Sequence, residues 1–107
     1  MKGFILSHDE LQQLFRTNRT ASYEAAGESC TLKFYPDGGQ RLYYSRGTDF
    51  GIFRIVGSQY CSSWRRVRSG REVCVKFYKI GDGKFNLLNN DGSFRGILEF
   101  TDIGNRN

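Results

Sequence analysis

The chain has 107 residues, with 16 lysines and arginines against 11 acids, one histidine and three cysteines. That length predicts one domain spanning 1–107 with a modest core, and 15% aromatic residues, one proline and 13 glycines argue against disorder and for antiparallel strands joined by tight turns. No apolar run is long enough for a membrane helix, and a net charge of +5 favours anionic partners such as nucleic acid, phospholipid headgroups or anionic glycans.

At the start, Phe4-Ile5-Leu6 is too short for the apolar region of a secretory leader, so an exported form is expected to have lost one. Ser7-His8-Asp9-Glu10 reads as a capping box. Leu11, Leu14 and Phe15 then form one apolar stripe, which predicts a helix over 8–17. His8 is read as a solvated residue of its first turn rather than a ligand or a general base.

Residues 19–27 read as a polar connection holding at most a short strand near 21–24. A β-meander follows over about 29–102. Cys30, Leu32 and Phe34 share one face of its first strand, and Pro36-Asp37-Gly38-Gly39 reverses the chain. A second strand covers 40–44. In the third, Gly51, Phe53 and Ile55 alternate with Ile52 and Arg54 up to a turn at Gly57. The fourth, 59–64, puts Tyr60, Ser62 and Trp64 on one face and Cys61 and Ser63 on the other. After an Arg-rich loop tipped by Ser69-Gly70, the strand 72–80 puts Val73, Val75 and Phe77 opposite Cys74, Lys76 and Tyr78. Turns at Gly81-Asp82-Gly83 and Asn90-Asp91-Gly92 bound the last two strands. In the final one, Phe94, Gly96, Leu98 and Phe100 are expected on one face, with Arg95, Ile97 and Glu99 on the other.

The fold class is therefore mainly β: an N-terminal helix, then a seven-stranded antiparallel meander as a strongly bent sheet or small calycin-like barrel, because closure removes exposed edges. So many aromatic residues favour an interior filled with side chains over one with a pocket.

Pairing the 59–64 and 72–80 strands around Gly70 places Cys61 opposite Cys74, close enough for a disulfide. The alternatives are two reduced cysteines filling the interior, or a pairing displaced by Cys30, the odd one of three.

Catalytic patterns are missing. One histidine and three scattered cysteines give no metal-ligand spacing, the Asp-Gly turns are hairpins rather than phosphate loops, and no nucleotide fingerprint occurs. No enzyme, metal or cofactor is expected, although a perturbed buried carboxylate or a Cys30 thiolate in a cleft would revive catalysis. The expected binding surface is basic and aromatic: Tyr60, Trp64, Arg65, Arg66, Arg68 and Arg71, suited to phosphates and stacked rings.

The L-x-x-L-F helix, the FYPDGG turn, the G-x-F-x-I-x-G-x-x-Y-C-x-x-W stretch with its later cysteine, and the Gly104-Asn105 pair after Phe100 resemble a family of small exported proteobacterial domains of unknown function. Members carry tryptophan where this chain has Phe53. The resemblance implies a periplasmic or extracellular β domain with Cys61 paired to Cys74, and it implies no activity.

The expectation is a non-enzymatic binding domain of the cell envelope or exterior, whose partner is a protein or a small anionic or apolar molecule. One alternative is an inhibitor or immunity-type protein acting through the 64–71 loop. Another is a single-stranded nucleic-acid binder, which a cytoplasmic location would favour.

Overall fold

A computed structural model describes residues 3–102. Met1, Lys2 and residues 103–107, with the Gly104-Asn105 pair, lie outside the described residues. The chain runs β1 (Phe4–Ile5), α1 (His8–Leu14), β2 (Arg19–Ala25), β3 (Glu28–Phe34), β4 (Gly39–Tyr44), β5 (Gly47–Val56), β6 (Gln59–Trp64), β7 (Val73–Gly81), β8 (Lys84–Leu88) and β9 (Phe94–Phe100). Strands β2 to β9 each pair antiparallel with the next, and β9 closes on β2 through Ala21↔Phe100 and Tyr23↔Leu98. The result is a closed eight-stranded barrel plus one extra strand. The expected seven strands were short by two. β1 has only two residues, which is too few to show alternation. β2 offers only Ala21, Tyr23 and Ala25 as an apolar face, so its strand pattern is faint.

β1 lies beside β7 through Phe4↔Lys79 and Ile5↔Tyr78, beyond the stretch of β7 that β6 covers at Tyr60↔Val75, Cys61↔Cys74 and Ser62↔Val73. It thus continues the β6 edge and leaves less of β7 unpaired.

The capping box forms: Ser7 Oγ accepts from the Glu10 amide at 3.2 Å, and Glu10 Oε1 accepts from the Ser7 amide at 2.7 Å. With seven residues, α1 is well below the length that holds in water, and docking sustains it. Leu11 and Phe15 are buried and Leu14 is half-buried. The helix ends earlier than expected, with Phe15 as its cap. His8 is exposed, and its Nδ1 bonds the Gly57 carbonyl at 2.8 Å, tying the helix to the β5–β6 turn.

Phe15 inserts among Phe34, Phe53, Tyr60, Phe77 and Phe100, with ring centroids 5.0–6.0 Å away. Aromatic packing therefore fills the barrel at the helix end, with offset and edge contacts that add to the buried area. Residues of alternate parity face outward, among them Ile52, 67% exposed.

Candidate functional site

The opposite end of the barrel is open. The β2–β3, β4–β5, β6–β7 and β8–β9 connections surround a cavity of about 670 Å³, within the size range of small-molecule sites. Leu32, Leu42, Trp64, Val73, Val75 and Leu87 supply apolar walls, and Tyr60 lies at the inner end. The expectation of a filled interior thus holds for one half only. Packed aromatic rings occupy the helix end, whereas the mouth is lined by leucines and valines together with Trp64, Tyr23 and Tyr44 and remains unfilled.

Tyr60 belongs to both halves. Its ring stacks on Phe15 at 5.5 Å and packs on Phe77 at 5.6 Å. Its hydroxyl donates to Gln40 Oε1, and Gln40 in turn donates to the Ile52 carbonyl at 3.2 Å. Burial pushes the Tyr60 pKa far up, against smaller opposing effects of Ser62, Arg68 and Gln40, so the phenol stays neutral.

Two guanidinium groups line the cavity. Arg68 comes from the β6–β7 connection, where it and Ser69 take left-handed conformations at φ 58° and 53° before Gly70 at φ 76°. A non-glycine residue there is held against about 1–2 kcal/mol of steric cost. Such strain persists only where the surroundings enforce it. Asp49, buried at 1% exposure, anchors the start of this connection. Its Oδ2 accepts from the backbone amides of Arg66 at 3.0 Å and Val67 at 2.9 Å, and its Oδ1 from the Phe50 amide at 2.9 Å. Burial alone would raise the Asp49 pKa, but the Val67, Arg66 and Phe50 amides and the Arg66 charge outweigh it and hold the carboxyl below its ordinary range. From this anchored turn, Arg68 Nη2 donates to the Ser62 carbonyl at 3.1 Å and to Ser62 Oγ at 3.0 Å.

Arg95 enters by a different device. Leu87 pairs with Gly96 but Leu88 pairs with Phe94, leaving Arg95 as the extra residue of a β-bulge. A bulge resets the alternation and re-aims a side chain. Arg95 lines the cavity, and Phe94 is 57% exposed, which reverses the faces expected for both from strict period two. Arg95 Nη1 donates to Asn89 Oδ1 at 3.0 Å.

The six residues expected to form one basic and aromatic surface are divided. Tyr60, Trp64 and Arg68 line the cavity. Arg65, Arg66 and Arg71 are exposed outside it, and Arg66 is also engaged by the Thr48 carbonyl. Sequence reasoning missed Arg95 and Tyr23 as cavity residues, and it raised Cys30 in a cleft only as a condition for catalysis. Only the Arg-Gly pair at 95–96, where a strand glycine signals a bulge, hints at the first.

Cys61 and Cys74 form the disulfide, directly opposed across β6 and β7. It sits on the outer face, where Arg54, paired to Cys61, reaches Glu72 with two hydrogen bonds of 2.9 Å. Cys30 is a free thiol half-buried in the cavity wall. Burial raises its pKa, which keeps it a thiol rather than a thiolate. No group of three or more His, Cys, Asp or Glu residues able to hold a metal occurs among the described residues. No helix among them is long and apolar enough to cross a membrane.

Comparison with family models, with curated proteins and with solved structures gave no match. The resemblance to small exported domains therefore rests on its motif residues alone.

Proposed function

We propose that the protein is a non-enzymatic binding domain that takes a small, largely apolar molecule into the open end of its barrel. The observation that carries this reading is the cavity of about 670 Å³ walled by Leu32, Leu42, Trp64, Val75 and Leu87. Burial of a ligand's apolar surface supplies about 25 cal/mol per Å² before the costs of association, and a preformed barrel needs little reorganisation to receive it. The disulfide supports a site of action in the cell envelope or outside the cell, since stable disulfides persist where the surroundings are oxidising.

Trp64, the single tryptophan, lies in the cavity wall and reports on occupancy. Titration with the neutral fluorophore N-phenyl-1-naphthylamine is expected to quench Trp64 emission saturably at one site per chain. Val73→Phe, which fills part of the cavity, is expected to abolish this. Unsaturable quenching, or binding indifferent to Val73→Phe, would overturn the reading.

Exposed Arg65, Arg66 and Arg71 support a second reading, contact with a protein in the manner of an inhibitor or with single-stranded nucleic acid. Steep weakening of binding with added salt would favour nucleic acid, and a saturable protein complex lost on Arg65→Ala would favour the inhibitor.

A further inference from the structure

We infer that the cavity selects ligands bearing an anionic oxygen headgroup, a carboxylate or a phosphate on an apolar tail, and that Arg68 and Arg95 together bind that headgroup. The inference rests on the cavity reading above and adds the chemistry of its ligand.

The two guanidinium groups reach the same cavity from unrelated elements, one from a left-handed turn and one from a β-bulge. Each device departs from regular backbone, and each brings a charge to an end of the barrel that regular alternation would have left apolar. Neither arginine has a carboxylate within ion-pairing distance among the described residues, whose ion pairs are Arg54–Glu72 and Arg66–Asp49. Glu28, the one acid in the cavity lining, is exposed at the β2–β3 turn. Two like charges converging in a partly buried space without a counter-ion repel each other, and Arg68 shows it. Burial first, and the charge of Arg95 second, pull its pKa below the ordinary arginine value. A bound anion would relieve both penalties.

The hydrogen-bond geometry suits the same ligand. Arg68 is held through Nη2 and Arg95 through Nη1, so each fork is oriented by the protein, with Arg95 also beside the Tyr23 hydroxyl. A planar fork of that kind matches carboxylate and phosphate oxygens. Ser62 Oγ and the Tyr23 hydroxyl, which donates to the Arg95 carbonyl at 3.4 Å, line the cavity beside them and add polar contacts. The aliphatic walls accommodate the tail.

The test is calorimetric titration of the oxidised full chain with decanoate, decyl phosphate and decan-1-ol, which share a tail and differ in headgroup. At least one anion is expected to bind about tenfold or more tightly than the alcohol, as charge-assisted hydrogen bonds warrant. Which anion binds better distinguishes a carboxylate ligand from a phosphate. Arg68→Gln and Arg95→Gln are each expected to weaken the anion about tenfold more than they weaken the alcohol, and saturable alcohol binding with an unchanged far-UV circular dichroism spectrum confirms that each variant is folded with its cavity intact. Equal affinity for alcohol and anions would overturn the headgroup inference and leave the cavity reading standing. Failure of all three probes to bind would overturn both.

Discussion

Gly96 lies against the ring of Tyr23 so closely that a Cβ at position 96 would stand 2.5 Å from the Tyr23 hydroxyl oxygen and 2.7 Å from two ring carbons. The absence of a side chain on β9 is what lets the β2 phenol lie flat across the barrel wall, next to the bulge that turns Arg95 inward. Gly96→Ala is expected to displace the ring and to cost about 1–3 kcal/mol, the usual range for forcing extra volume into a packed site. In a Tyr23→Leu background most of that cost should vanish, because the clash is with the ring. Thermal denaturation of the four proteins of this cycle measures the coupling. Additive effects would show that the two residues do not depend on each other.

Asp49 links stability to the position of Arg68. Asp49→Asn removes the charge that accepts from the Arg66 and Val67 amides and is expected to cost about 2–3 kcal/mol, given what charged hydrogen bonds contribute. It should also weaken decanoate binding by freeing the turn that carries Arg68. The pH dependence follows from the lowered carboxyl. Its native pKa lies below the ordinary value of 3.8, so the stabilisation is complete at neutral pH. It is lost as pH falls below about 4 through the native value. Chemical denaturation across that range should show wild type losing its advantage over Asp49→Asn. An advantage constant down to pH 2 would contradict it.

The disulfide closes a loop with a sequence separation of 13, worth about 3 kcal/mol in the chain-entropy account. Cys61→Ser is expected to lower Tm by several degrees or more under oxidising conditions. With excess reductant, wild type and variant should converge. Intact mass before and after alkylation should show one labelled thiol in the oxidised, denatured protein and three after reduction. Three labelled thiols without reductant would remove the cross-link from the account.

Cys30 offers a direct report on the cavity. Because burial raises its pKa above the ordinary value of 9.0, and the thiolate is the reacting form, labelling by N-ethylmaleimide at pH 7.5 should be several-fold slower than for an unfolded control. The rate should keep climbing as pH rises past 9, and a saturating cavity ligand should slow it further. Mass spectrometry over time follows the reaction. Labelling as fast as the unfolded control and unaffected by ligand would place the thiol outside the site.

Much of the framework was legible because it is local. The Ser7 capping box, the hairpin turns and the Cys61–Cys74 register each depend on residues within about a dozen positions of one another. The alternation of Tyr60, Ser62 and Trp64 needs only a pleated strand. Other features were not legible. Period two assigns residues to two faces without saying which is inside, so Trp64 and Tyr60 served equally well as an exposed platform.

Closure, and with it the mouth, depended on β2 meeting β9 across the length of the chain. β2 offers only Ala21, Tyr23 and Ala25 as an apolar face, a faint strand signal on its own. The two arginines that define the candidate site were the least legible of all. Arg95 faces inward because one extra residue in β9 resets the alternation, and Arg68 does so because Asp49, 19 positions earlier, anchors the start of its turn. The sequence by itself therefore determined the capping box, the hairpin turns, seven of the nine strands and the opposition of Cys61 to Cys74, since these follow from near neighbours and side-chain period. The tertiary structure alone decided which residues meet in the cavity, because β2 closes on β9 across the chain and because the bulge at Arg95 and the turn at Arg68 depend on backbone pairing and on Asp49 rather than on side-chain period.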